Sequence, residues 1–233
     1  MDHLSTEQKK ALYEHLSAHL SDAKKELFSQ VWSQRNSALR LVLENIYQPL
    51  NASAILRTAD ALGVHWIDVI DNEHPWTINR KIAKGALDWL KIQNHSNVEK
   101  VLLDLKAKGY MIAVTDFSPE AISIYDFIPE QPVALVMGTE LSGISSTVKQ
   151  CADVSLVIPM SGFSQSLNVS VAAGVALSHL TTSTKRISDI QRFTDEEKWD
   201  TMVQWASHSI YWSDTLIKEF LENQRANHSK AHL

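Results

Sequence analysis

The chain has 233 residues, 44% hydrophobic and 21% charged, a balance that fits one good core plus extensions and excludes a disordered or fibrous chain. A net charge of −5 excludes a uniformly basic, nucleic-acid-coating surface but leaves room for a local patch. The single cysteine, Cys151, excludes an internal disulfide framework, no apolar run approaches the roughly 20 residues of a membrane span, and the start Met1-Asp2-His3-Leu4-Ser5 lacks a signal-peptide core, so a cytoplasmic protein is expected.

In chain order, Leu12, Leu16, Leu20, Leu27 and Val31 recur at helical spacing and predict a helix over 6–32. Residues 1–37 carry five basic and five acidic side chains. Residues 40–46 read as a strand entering a core. Asn51 is placed to cap the next helix, with Ala54, Ile55, Ala59 and Leu62 as its stripe and Gly63 as its stop. A strand over 64–70 and a short helix within 77–87 follow. Arg80, Lys81 and Lys84 cluster there, as Arg35 and Arg40 do earlier.

Next come a helix over 98–108 closed by Gly109, strands over 110–115 and 133–137, a helix over 144–151 and a strand over 154–158. Apolar strands alternating with helices predict an α/β fold, a parallel sheet with helices on both faces. Strand 154–158 breaks at Pro159, crosses a polar turn and re-enters as a helix of small residues, Ala172, Ala173, Gly174 and Ala176. Thr181 to Arg186 is a polar break. Residues 194–225 read as one or two helices carrying Trp199, Trp205 and Trp212, whose indoles are expected to pack rather than stack on RNA.

Three constellations stand out. Asn51 and Arg57 bracket the first turns of a helix after a strand, either as cap and surface arginine or as an anion site. In Met137-Gly138-Thr139-Glu140-Leu141-Ser142-Gly143-Ile144 a strand ends in a glycine turn with a carboxylate at the next helix start, either a plain turn or a close approach to a ligand. It is neither a Walker loop nor the dinucleotide fingerprint. In Ile158-Pro159-Met160-Ser161-Gly162-Phe163-Ser164-Gln165-Ser166-Leu167-Asn168-Val169-Ser170, polar residues sit where open α/β proteins place ligands. His15 and His19 lack the glutamate of a zinc-protease motif, and one cysteine with scattered histidines gives no metal site.

In this order the three segments resemble motifs 1, 2 and 3 of the SpoU/TrmH family of RNA ribose 2′-O-methyltransferases, within the SPOUT class. The likeness covers residues 40–180. Leu43-Glu44-Asn45-Ile46-Tyr47-Gln48-Pro49 and Gln165 to Ser170 bring it closest to the TrmH-type tRNA (guanosine-2′-O)-methyltransferases. The resemblance implies a deep C-terminal trefoil knot, residues 38–180 as the methyltransferase domain, and helical extensions over 1–37 and 181–233. It implies S-adenosylmethionine as cofactor, held by Thr115, Gly138, Ile158, Met160 and Leu167. It implies Arg57, Asn51, Glu140, Ser166 and Asn168 as the catalytic set, with Arg57 acting on the 2′-hydroxyl. Arg35, Arg40, Lys185 and Arg186 are the RNA contacts it suggests.

The implied partners are RNA, tRNA first, and a second copy of the chain whose interface completes the site; neither DNA nor a membrane is expected. The implied reaction is methylation of the D-loop guanosine, position 18, of tRNA. Another tRNA position, rRNA, or a non-catalytic RNA-binding protein on the same scaffold are the alternatives. Leu50 stands where a histidine usually precedes the motif 1 asparagine, Leu141 where lysine often follows the motif 2 glutamate, and the basic run after motif 3 is reduced to Lys185 and Arg186. These departures concern RNA contact more than methyl transfer.

Overall fold

A computed structural model describes residues 4–71, 76–83, 85–139 and 142–230, with the side chains of 225–230 excepted. The chain forms two compact units: residues 35–192, and residues 1–34 together with 193–233. Among the described residues no helix is long and apolar enough to cross a membrane.

The terminal unit opens with α1 (Thr6–Ser17) and α2 (Asp22–Gln34) where the apolar spacing predicts one helix. The chain breaks because Ser21 starts a second helix, its hydroxyl accepting the Lys24 amide at 3.3 Å.

The larger unit runs β1 (Asn36–Glu44), α3 (Pro49–Ala61), β2 (Val64–Ile70), α4 (Arg80–Ala83), α5 (Ala86–Trp89), β3 (Lys91–His95), α6 (Val98–Ala107), β4 (Met111–Thr115), β5 (Ile122–Ser123), β6 (Val133–Met137), α7 (Ser146–Cys151), β7 (Val154–Val157), α8 (Val169–Ser183) and α9 (Lys185–Ile190). The terminal unit is completed by α10 (Asp195–Ser209) and α11 (Ser213–Lys230).

All seven strands are parallel, in the order β3-β2-β1-β6-β4-β7-β5. Their C-terminal ends therefore share one edge of the sheet. Side chains alternate between faces. Leu39, Leu41 and Leu43 pack with Ile55 and Leu56 of α3 and with Ala173, Ala176 and Leu177 of α8. Val42, Val114 and Val136 pack on the other face with Val101, Leu102 and Leu105 of α6 and Val148 of α7. The expected α/β class is thus present, with helices on both faces.

The differences lie at edges and ends. Strand β1 begins at Asn36, earlier than residue 40, and stops at Glu44 because Asn45 turns to φ 54°. The helix expected within 77–87 is two short helices, with Gly85 at φ 83° ahead of the second; Lys84 lies outside the described residues. Strand β3 has no counterpart in the sequence pattern: Lys91-Ile92-Gln93-Asn94-His95 has no apolar run, and pairing with β2 alone makes it an edge strand.

In the terminal unit Trp205 is 1% exposed and packs edge-on against Phe28 at 5.5 Å, with Trp32 at 6.3 Å. Trp199 lies under the ammonium groups of Lys198 and Lys10, 4.9 and 5.9 Å from its ring centre. Trp212 is 55% exposed. Trp205 thus supplies core area, as its apolar setting predicts.

Candidate active site

The site is built at the C-terminal edge of the sheet, from the turns that follow β4, β6 and β7. After β6 the chain doubles back tightly. Thr139 and Gly143 exchange backbone hydrogen bonds, each 3.0 Å, and the Thr139 and Ser142 hydroxyls lie 2.7 Å apart. Gly143 takes φ 68°. A Cβ on Gly138 would fall 2.2 Å from the Gly143 carbonyl oxygen, so only glycine fits there. Glu140 and Leu141 lie outside the described residues. The exit from this turn is tied to β1: the buried Glu44 carboxylate accepts the Ser145 amide at 2.8 Å.

Beside this turn lies a cavity of about 570 Å³. Thr115 from β4, Gly138 after β6, and Ile158, Met160 and Leu167 after β7 all line it. Ser166 lines it too. Sequence reasoning missed Asp116 and Phe117 on the same wall. Their only signal was a polar turn directly after a buried strand. Asp116 donates its amide to Leu156 O at 3.0 Å and its carboxylate lies 3.5 Å from the Lys149 ammonium.

The first and third segments meet directly. Asn168 Nδ2 donates to Asn51 Oδ1 at 3.2 Å, and Asn51 Nδ2 donates to Gln48 Oε1 at 3.0 Å. Asn168 also caps α8, its Oδ1 accepting the Ser170 amide at 2.9 Å. Asn51 does not cap α3. Pro49 starts that helix, because a residue without an N–H and with φ fixed near −65° suits its first position. Asn51 therefore sits in the first turn, 8% exposed, with its amide turned across the site toward Asn168. Arg57 lies farther along α3, exposed, and among the described residues it has no hydrogen-bond or ion-pair partner. It does not line the cavity of its own chain.

Two expected RNA contacts are corrected. Arg35 is 5% exposed and its guanidinium binds the Asp60 carboxylate at 2.6 Å and the carbonyls of Asp60 and Val64. Arg40, also 5% exposed, pairs with buried Asp68 at 2.9 Å and stacks over the Trp66 ring at 4.7 Å. Sequence spacing cannot show that β1 and the residue before it carry both arginines inward, where each meets a carboxylate. Lys185 and Arg186 are exposed on α9. That helix adjoins the N-terminal end of β1, where Ser188 Oγ accepts the Ser37 amide at 3.0 Å, so they are not brought to the site edge. In the small-residue helix α8 a Cβ on Gly174 would stand 3.8 Å from Thr58, an ordinary contact.

Residues 38–178, from within β1 to within α8, match the SpoU rRNA Methylase family. The chain belongs to that family. Among similar SpoU-family proteins, the tRNA (guanosine(18)-2′-O)-methyltransferase of Borreliella burgdorferi is 33% identical over 183 residues, covering 78% of this chain and 84% of that one. The Aquifex aeolicus protein of the same name is 37% identical over 149 residues, 64% of this chain and 71% of its own. The crystal structure of the A. aeolicus TrmH/SpoU tRNA modifying enzyme superposes with a TM-score of 0.71 at 30% identity, covering 81% of this chain and 98% of that chain. The SpoU methyltransferase AviRb from Streptomyces viridochromogenes, solved in complex with AdoMet, gives a TM-score of 0.57 at 27% identity, covering 66% and 62%.

Proposed function

We propose that this chain transfers a methyl group from S-adenosylmethionine to the ribose 2′-hydroxyl of guanosine 18 in tRNA. The observation that carries the reading is one juxtaposition: a cavity lined by Thr115, Gly138, Ile158, Met160, Ser166 and Leu167, with Asn168, next in the chain, bonded to Asn51. The relatives in B. burgdorferi and A. aeolicus bear the name of that activity.

The cavity fits the cofactor. Its volume lies in the range of small-molecule sites. The bare backbone at Gly138 leaves a surface that a side chain would obstruct. Thr115, Gly138, Ile158, Met160 and Leu167 would hold it, and Asp116 lies on the same wall. When bound, S-adenosylmethionine supplies an electrophilic methyl group.

The chain's own residues act on the ribose. A ribose hydroxyl is a weak nucleophile until it loses its proton. Arg57 holds the neighbouring phosphate and stabilises negative charge as it develops on O2′. Asn51, Glu140, Ser166 and Asn168 orient Arg57 and the sugar, and positioning alone contributes several kcal/mol.

The functional unit in this reading is a homodimer in the cytoplasm. Arg57 lies outside its own chain's cavity and serves that of a second copy. Exposed Leu50, Phe163 and Val171, at 58%, 109% and 51%, support an apolar contact near the site. The chain closes a trefoil knot by passing α8 beneath the loop between β4 and β6. Tyr125 of that loop meets His179 of α8 at 5.8 Å, edge to face, which supports the threading.

The test is methyl transfer from labelled S-adenosylmethionine to total RNA, with nuclease mapping of the product. Label at guanosine 18 of tRNA is expected. Label at another tRNA position or in rRNA would keep the chemistry and overturn the substrate. Cofactor binding without label would replace the enzyme by a non-catalytic RNA-binding protein.

A further inference from the structure

We propose that Arg80 and Lys81, on α4, grip the RNA phosphates flanking the target nucleotide, in place of the helical extensions. The inference rests on the methyltransferase reading and adds the path of the RNA strand.

Charge distribution comes first. Residues 1–34 and 193–233 carry eight lysines and arginines against twelve aspartates and glutamates. A unit with that excess repels a phosphate backbone. Residues 35–192 are nearly balanced, fourteen against fifteen, so any attraction must be local.

Six of the fourteen cations of the larger unit are committed or misplaced. Arg35 and Arg40 are buried in ion pairs with Asp60 and Asp68. Lys106 pairs with Asp153 at 2.6 Å and Lys149 with Asp116. Lys185 and Arg186 follow α8, whose 15 residues span about 22 Å at 1.5 Å per residue. That helix starts at Asn168 in the site and ends at Thr184, which bonds Asn36 at the opposite end of β1.

Arg80 and Lys81 differ on both counts. Both are exposed, and among the described residues neither has a hydrogen-bond or ion-pair partner for its side chain. They are fixed at the site edge. The Asn79 amide donates to Ser53 Oγ at 2.8 Å, which anchors the start of α4 on the first turns of α3. The Asn79 side chain in turn accepts the Lys81 amide at 3.1 Å. Arg57 is four residues beyond Ser53, so the two share one face of α3, with Cβ atoms about 6 Å apart. Arg57, Arg80 and Lys81 thus form three cations around one helix, without partners among the described residues.

The chemistry suits an RNA strand. Arginine forks a phosphate with two hydrogen bonds, and lysine acts as a mobile point charge. Each phosphate neutralised releases counterions, which makes binding fall with salt. With Arg57 on the phosphate of the reacting nucleotide, Arg80 and Lys81 hold its neighbours.

The test compares the full wild-type chain with Arg80→Ala/Lys81→Ala and with Lys100→Ala/Lys108→Ala. The last pair removes equal charge from α6 and its cap, on the opposite face of the sheet. tRNA affinity is measured against salt concentration. S-adenosylmethionine affinity and the melting temperature report folding. The Arg80/Lys81 variant is expected to lose about tenfold in tRNA affinity at about 0.15 M salt, with a log–log salt slope shallower by about 1.5. The α6 variant is expected to match the wild type. An unchanged affinity and slope for the Arg80/Lys81 variant, or an equal loss in the α6 variant, overturns the inference while methyl transfer by the wild type still stands. A wild type that neither binds nor methylates tRNA removes the functional reading itself.

Discussion

Asn168 and Asn51 are 117 residues apart in the chain and share a hydrogen bond of 3.2 Å, while the same Asn168 caps α8 with its oxygen. One side chain thus caps a helix and ties two distant segments together through different atoms. Asn168→Asp keeps a good capping oxygen but loses the donor to Asn51. It is expected to lose about 0.5–1.5 kcal/mol of stability with that hydrogen bond, and about 10- to 100-fold in single-turnover rate as Asn51 loses its orientation. Asn168→Ala should lose both, with about 1 kcal/mol from the cap. Equal rates for the Asn168→Asp variant and the wild-type chain would remove Asn168 from the site.

Gly138 has no space for a side chain, since its Cβ would meet the Gly143 backbone at 2.2 Å. Gly138→Ala is expected to cost about 1–3 kcal/mol in urea unfolding, as overpacking does. It should also weaken S-adenosylmethionine binding at least about tenfold by calorimetry, because the displaced turn lines the cavity. Gly162→Ala is the contrast, with no atom within 4 Å of the added carbon. It should be neutral in stability.

Among the described residues Arg57 has no partner that its loss would leave unsatisfied. Arg57→Ala should therefore change stability by less than about 0.5 kcal/mol. Methyl transfer should fall by on the order of 100- to 1000-fold, the scale of losing one transition-state donor. S-adenosylmethionine should bind as before. Arg57→Lys should recover little, because a point charge cannot fork a phosphate. Turnover near wild type in Arg57→Ala would end its proposed role.

Arg40 and Asp68 are both almost fully buried, and Asp68 also meets His95 at 2.9 Å. Asp68→Ala leaves a buried guanidinium without its carboxylate and is expected to cost about 3–5 kcal/mol in equilibrium unfolding. Arg40→Met/Asp68→Leu should cost clearly less than either single change, since it removes both charges together. If instead Arg40→Met alone weakened tRNA binding without affecting stability, the side chain would be an RNA contact after all.

The terminal unit is expected to weaken in alkali. Burial pulls the Lys9 ammonium down, but the hydrogen bonds and charges of Glu196 and Asp200 outweigh it and hold the pKa above the ordinary 10.5. Burial raises the Tyr13 phenol above its ordinary 10.0, against a lowering pull from Lys25. Both groups bind their protons more tightly when folded. Their contribution is full below about pH 10 and falls as pH rises through the folded values. Lys9→Met/Tyr13→Phe should flatten that fall in a tryptophan-fluorescence stability series from about pH 9 to about pH 12. A slope equal to wild type would place the alkaline loss elsewhere.

Local patterns carry a great deal of this. The runs 64–70 and 133–137 read as strands because they are largely apolar, as strands buried on both faces must be. Gly109 bounds α6 in the sequence because a left-handed backbone after a helix depends on one residue. The edge strand β3 is not legible, since its polar residues become a strand only by pairing with β2. The capping role expected of Asn51 fails because the choice between starting at Pro49 or at Asn51 depends on what else Asn51 can bond.

The sequence by itself determined the class of fold, because that follows from periodicity, and the order of three polar segments whose resemblance to the SpoU/TrmH motifs implied a methyl-transfer site. Only the tertiary structure decided which cations are available. Arg35 and Arg40 look like Arg57, Arg80 and Lys81 in a string of letters. The first two point into the protein and are neutralised by Asp60 and Asp68; the others reach solvent with no partner among the described residues. A charge acts on a ligand only where burial and a nearer counter-charge have not already claimed it, and both are set by contacts distant in sequence.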